Sequence, residues 1–189
     1  AFLRDYLRGV DEADLAAAPP AARASLALQH LAAGRRRQPG EILLRVWNPP
    51  ADDPRNGSRH TRISLVMDDM PFLVDSLAIV LRDAGTLHLL VHPVLTVRRD
   101  RRGRLLSVTG EPSADGEAES WQLYEVDREL DPLRLAQLER RLRQTLEDVT
   151  AAVKDWQPMR EVAAHLAATL GKRHPAGLTE EVNEARALL

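Results

Sequence analysis

Apolar positions change their spacing several times along the chain, and each change marks an element. The sharpest change lies between Thr61 and Gly85. Ile63, Leu65 and Met67 alternate with Arg62, Ser64 and Val66, the period of a half-buried strand. Past Asp68-Asp69 the period lengthens, and Leu73, Leu77, Val80, Leu81 and Ala84 fall on one helical face. Asp69 suits an N-cap, Pro71 the first helical turn and Gly85 the left-handed exit. The stretch predicts a strand, a tight acidic turn and a helix whose N-terminal amides face whatever lies above the turn.

The flanking patterns are simpler. Residues 1–39 read as helices, with Leu3, Tyr6, Leu7 and Val10 on one stripe and Ala24, Ala27, Leu28 and Leu31 on another, separated by Pro19-Pro20. Glu41 to Trp47 reads as a strand with Ile42, Leu44 and Val46 on one side and Leu43, Arg45 and Trp47 on the other. Asn48 to His60 has no periodicity and three prolines, so a loop is expected. Thr86 to Val97 predicts one long strand whose odd positions, Leu87 through Val97, are apolar. Residues 98–104 then read as a hairpin turn, Leu105 to Thr109 as its return strand, Gly110 to Glu119 as an acidic loop and Trp121 to Val126 as a further strand. Asp131-Pro132 starts a helix in which Leu135, Leu138, Leu142, Leu146, Val149, Val153 and Trp156 recur at steps of three or four. Pro158 is expected to restart a helix that ends at Gly171, and Thr179 to cap a last one.

Composition narrows the class. The 189 residues are 44% hydrophobic and 29% charged, those of an ordinary globular domain with one sizeable core. A net charge of -2 gives no support for a nucleic-acid or membrane partner, and the apolar runs are too short to span a bilayer. The absence of cysteine removes disulfides, thiol catalysis and cysteine-bound metals. Ala1 in place of an initiator methionine, and a helical pattern running to Leu189, lead us to expect a segment of a longer chain.

Candidate chemistry is sparse. The glycines form no G-x-G pair, and no H-E-x-x-H or G-x-S-x-G pattern is present. His88 and His92 share a predicted strand but lie roughly 13 Å apart along it, too far for one metal ion. Arg35, Arg36 and Arg37 read as a solvated run beside a helix C-terminus. The five arginines of 98–104 read as a solvated turn that blocks edge aggregation, about 17–20 Å from the acidic loop.

The order strand, helix, strand, strand, helix matches the split β-α-β, ferredoxin-like plan of an α+β fold. Within that plan, Asp68 to Ser76 (Asp-Asp-Met-Pro-Phe-Leu-Val-Asp-Ser) resembles the Asp-x-Pro-Gly-x-Leu turn of ACT domains, with Phe72 in the glycine position. Together with Pro39 to Pro49, His88 to Leu95, Glu119 to Trp121 and Val153 to Arg160, it resembles the N-terminal ACT-like region of the large bacterial NAD-specific glutamate dehydrogenases. The resemblance implies an antiparallel ACT-like sheet with packed helices, spanning residues 40–155, between an N-terminal helical extension, 1–39, and a C-terminal helical linker, 156–189. It also implies a cytoplasmic, oligomeric enzyme that oxidatively deaminates glutamate with NAD. The catalytic domains and the NAD site would lie downstream, so this part would carry regulation and assembly but no catalytic residue. An amino-acid effector would bind at Asp68, Asp69, Met70, Pro71, Phe72 and Asp75, where a helix N-terminus meets a carboxylate and the aspartates meet an ammonium. Phe72 is expected to fill space that a glycine leaves open. The alternative is a module that only docks other domains or subunits, through its terminal helices.

Overall fold

A computed structural model describes residues 2–53, 58–170 and residue 184. Residues 54–57, within the predicted loop, and the stretch from Gly171 through the predicted Thr179 cap lie outside these. The chain divides into two compact units, 1–146 and 147–189.

In the first unit three short helices, α1 (Phe2–Tyr6), α2 (Glu12–Ala17) and α3 (Pro20–Ala33), precede the sheet. Asp11 caps α2 by accepting from the Ala13 amide, and Pro20 opens α3. Strands β1 (Leu43–Trp47) and β2 (Thr61–Asp68) follow, then α4 (Leu73–Arg82), β3 (Leu87–Val91), β4 (Val94–Arg99), β5 (Leu105–Thr109) and β6 (Glu117–Val126). All described pairings are antiparallel, in the order β1-β2-β6-β4-β5, with β3 also on β6. Because β6 lies between β2 and β4 and is antiparallel to both, β2-α4-β4 is a split β-α-β unit, and the α+β, ferredoxin-like expectation holds.

Two differences from the sequence reading concern the strands. The long strand expected over Thr86 to Val97 is interrupted at His92-Pro93, where proline has no N–H to give. Its register on β6 is kept across the break: Val91 faces Leu123, Val94 faces Ser120, and the Trp121 amide donates to the Pro93 carbonyl at 3.0 Å. Val91, Pro93, Leu95 and Val97 are buried and alternate with more accessible positions, as the apolar pattern requires. The second difference is β2, expected to be half-buried. Thr61 through Met67 are all buried, so both sheet faces are covered.

One face carries Val66, Leu95, Val97 and Trp121, packed with Phe2 and Leu31, and next to it Val91 and Leu123, packed with Tyr6, Val10 and Ala27. The N-terminal helices are therefore part of the core. Tyr6 Oη lies 2.7 Å from His30 Nδ1, and His30 Nε2 lies 3.2 Å from the Leu65 carbonyl oxygen. A carbonyl only accepts, so Nε2 carries the proton and Tyr6 donates to Nδ1. This relay ties α1 to α3 and α3 to β2.

The last helix, α5 (Pro132–Leu170), begins where Asp131 accepts from the Leu133 amide. Within the first unit its Leu138, Leu142 and Leu146 are buried, each worth about 1.5–3 kcal/mol. The Glu139–Arg143 pair at 3.9 Å, about two-fifths exposed on each side, contributes only a few tenths, ~0.2–0.5 kcal/mol. Packing therefore fixes this part of the helix. The helix does not restart at Pro158 as expected; it runs through that residue, although the proline gives up one hydrogen bond of the ladder there. In the second unit Trp156, Met159, Val162 and Leu166 are exposed along it.

Candidate functional site

The β2–α4 joint was the predicted site, and its geometry follows from where β2 ends. Asp68 is the last residue of β2 and faces Glu119 of β6. Between them lies Arg37, which leaves the α3 exit and is 1% exposed. Its Nη2 reaches Asp68 Oδ1 at 2.5 Å, its Nε donates to Glu119 Oε1 at 2.9 Å, and its Nη1 donates to the Glu41 carbonyl at 2.9 Å. Glu119, with no exposed surface, also accepts from Arg99 Nε at 2.7 Å and Nη2 at 2.9 Å and from Trp121 Nε1 at 3.1 Å.

Two guanidinium groups and two carboxylates thus balance in one network. Burial works against the Arg37 cation, but the hydrogen bonds and charges of Asp68 and Glu119 outweigh it and hold the guanidinium above its usual value. This corrects two expectations. Arg37 is a core residue instead of a member of a solvated run, because Leu105 and Arg37 exchange backbone bonds with the opposite segment and draw the run against the β4–β5 turn. Arg99 and Glu119 are also not a strand-length apart. The expected acidic loop is partly strand, since β6 begins at Glu117, and its register places Glu119 opposite Leu95.

The predicted site residues separate accordingly. Asp68 is engaged by Arg37 and by the Gly40 amide, at 3.1 Å. Asp69 continues the sheet through its amide, which donates to Ala118 at 3.0 Å. Desolvation raises its carboxyl pKa, partly offset by the Met70 amide. Asp69 does not cap α4 as expected; the N-cap is Phe72, with φ 72° and no side-chain cap bond. Phe72 holds the left-handed conformation a glycine adopts freely. Its ring is 67% exposed, so it does not fill the turn as expected. Pro71 and Asp75 are also exposed, while Met70 is half-buried. None of the cavities described below is lined by these residues.

Sequence reasoning missed a second cluster at the other end of β6. The His60 and His88 rings stack with centroids 4.0 Å apart and 13° between planes. His88 Nε2 lies 2.7 Å from Asp127 Oδ1, and His60 Nδ1 lies 3.4 Å from Glu125 Oε2. A register shift between Leu87 and Leu89 sets His88 apart from the alternation it was read in, and its partner is His60, with His92 elsewhere. The Thr86 amide and His88 together hold the Asp127 carboxyl below its usual range. Among the described residues no group of three or more histidine and acidic side chains is arranged to hold a metal ion.

Three cavities or clefts are lined by other residues. One of about 320 Å³ is lined by Asp83, Asp127, Glu129, Arg134 and Arg141, and one of about 470 Å³ by Arg98, Arg99, Asp115 and Glu117. A third, about 230 Å³ and mostly apolar, lies between α3 and the β1–β2 strands. The arrangement organises charge and packing, and the described polar clusters pair acids with bases without leaving a nucleophile beside a general base.

Comparison with known proteins accords with this. The family described as glutamate dehydrogenase, ACT1 domain, matches residues 2–142. The chain is 38% identical over 136 residues to an NAD-specific glutamate dehydrogenase of Halomonas elongata, covering 70% of this chain and 8% of that protein. It is 34% identical over 149 residues to an NAD-specific glutamate dehydrogenase of Pseudomonas aeruginosa, covering 77% of this chain and 9% of that protein. The chain thus spans under a tenth of the length of these relatives. On its fold and on these matches, the chain belongs to the ACT1 domain family of glutamate dehydrogenases.

Proposed function

We propose that the chain is a non-catalytic regulatory and assembly domain of a cytoplasmic, oligomeric glutamate dehydrogenase that oxidatively deaminates L-glutamate to 2-oxoglutarate with NAD. The observation that carries this reading is the coincidence of the family match, residues 2–142, with the compact unit, residues 1–146. What the family contributes to its enzymes is thus a self-contained folded body. NAD would be held elsewhere in the enzyme. The joint where a strand runs straight into a helix carries Phe72 instead of a glycine-rich phosphate cradle, and the sequence contains no G-x-G pair.

An amino-acid effector would meet the β2–α4 turn. The α4 N-terminus, which has no side-chain cap, suits its carboxylate, and exposed Asp69 and Asp75 suit its ammonium group. Calorimetric titration of the chain with glutamate and aspartate tests this, with a Asp69→Asn/Asp75→Asn variant as control. Heat that persists unchanged in the variant would move the effector away from the turn, and no heat from either amino acid would leave assembly as the sole role.

A second reading, a module that docks other domains or subunits without a ligand, is favoured by the exposed Trp156, Met159, Val162 and Leu166. Light scattering of the chain, with and without Trp156→Ser and Met159→Ser, distinguishes the two. Association that the substitutions abolish supports docking through this stripe, and a chain that stays monomeric throughout counts against it.

A further inference from the structure

We propose that the cavity between α3 and the β1–β2 strands binds a small, apolar-tailed 2-oxo or carboxylic acid, with its carboxylate on Arg45 and its tail against Leu26, Leu43 and Val66. The proposal is independent of the effector site at the β2–α4 turn, which lies outside this cavity.

The β1–β2 register builds the floor. Leu43 faces Val66, Arg45 faces Ser64 and Trp47 faces Arg62, all on the sheet face that α3 covers. The roof is Leu26, Gln29, His30 and Ala33 of α3. The space enclosed, about 230 Å³, is below the ~300–1,000 Å³ of drug-sized sites, so it suits a small metabolite.

Two polar groups in this setting have no hydrogen-bond or ion-pair partner among the described residues. Ser64 is 7% exposed, and among the described residues its hydroxyl makes no hydrogen bond. Among the described residues no fully enclosed side-chain polar atom is left unsatisfied, so the Ser64 hydroxyl opens on the cavity it lines. Arg45 makes no ion pair among the described residues; its guanidinium lies over the Trp47 ring, 4.6 Å from the centroid. Facing residues on antiparallel strands have Cβ atoms about 4.5–5.5 Å apart, so hydroxyl and guanidinium serve the same small molecule. Stacking on Trp47 steadies the guanidinium and leaves its N–H fork for a carboxylate.

The lining also selects the acid. His30 is already committed through both ring nitrogens, to Tyr6 and to Leu65, and is held neutral by burial, so it adds no charge. No aspartate or glutamate lines the cavity. An α-ammonium group would find no counter-charge there, whereas a 2-oxo group accepts a hydrogen bond from Ser64. The site therefore prefers a branched 2-oxo acid to the amino acid of the same skeleton.

The test is calorimetric titration of the chain with 4-methyl-2-oxopentanoate, with leucine and 4-methylpentanamide run in parallel. Saturable binding of the oxo acid is expected, with leucine and the amide at least about tenfold weaker. Arg45→Gln, at an exposed position without an ion pair, keeps the fold by circular dichroism and weakens the oxo acid by about tenfold or more. Ser64→Ala weakens it less. No saturation by the oxo acid, equal binding of acid and amide, tighter binding of leucine, or unchanged affinity in a folded Arg45→Gln protein would each overturn the proposal.

Discussion

Arg37 and Glu119, 82 positions apart in the chain, meet in the interior with Nη2 2.7 Å from Oε1. Arg99 joins the same carboxylate from the β4–β5 hairpin. Glu119 is thus the group that lets two guanidinium groups be buried side by side. Replacing it with alanine strips Arg99 of its carboxylate and leaves Arg37 with Asp68 alone, and is expected to cost about 3–5 kcal/mol in urea unfolding. Arg143→Ala, which breaks an exposed pair on α5, should change stability by less than about 0.5 kcal/mol. Similar losses for the two variants would mean that the interior network does not hold the fold.

Gly34, at the α3 exit, sits directly against the Trp121 ring; a Cβ built there would overlap the indole, with Cζ3 at 2.8 Å and Cζ2 at 2.9 Å. Its φ of -83° is ordinary, so the demand is for space alone. Gly34→Ala should destabilise by about 1–3 kcal/mol and alter the Trp121 near-ultraviolet circular dichroism. An alanine variant with wild-type stability would show that the exit moves freely.

Phe72 presents the reverse case. It is left-handed at φ 72° and its ring is largely exposed, so its side chain adds little burial to offset the strain. Phe72→Gly relieves roughly 1–2 kcal/mol of strain and gives back about 0.5–1 kcal/mol in chain entropy. The expected net result is a gain of up to about 1.5 kcal/mol, read as a higher unfolding midpoint. A clear loss would show that the ring makes contacts the turn depends on.

His30 makes the fold acid-sensitive. Burial depresses its folded-state pKa to about 4, against about 6.5 unfolded. The unfolded chain therefore binds the extra proton in that window. Stability is full above pH ~6.5 and falls as pH drops toward ~4, by roughly 3 kcal/mol across the interval. Urea midpoints at pH 7, 6 and 5 should decline in step, and His30→Gln, weaker at neutral pH, should flatten the decline. A wild-type protein with equal midpoints at pH 7 and 5 would refute the linkage.

The sequence carried the strand–turn–helix at Thr61–Gly85 and the apolar half of α5 plainly, because single-period patterns report single faces. It was less informative where two faces are buried. Val66 and Ser64 looked outward only because nothing local announces that α1–α3 return to cover that side of β2. Arg37 was hidden for a related reason: a run of three arginines has no period, and its partner comes into place only through the register of β6. Glu119 did carry a signal, since it falls in step with Trp121 and Leu123, two positions apart each time, and extending the strand back to Glu117 exposes it. The α3 cavity was legible as alternation in β1 but not as a space, because its roof is set by tertiary packing.

The placement of β6 has a consequence for the order in which the fold is made. As the last of the described strands, it holds β2 along one side and β3 and β4 along the other. The β4–β5 hairpin closes over a few residues and can form early, and β1 can find β2 across a modest loop. Within the sheet, the strand that joins the two subassemblies is Glu117–Val126. The sheet is therefore completed by a single ten-residue strand, which also carries Glu119 in between its two arginines, so the longest-range pairings of the fold are the ones that close it.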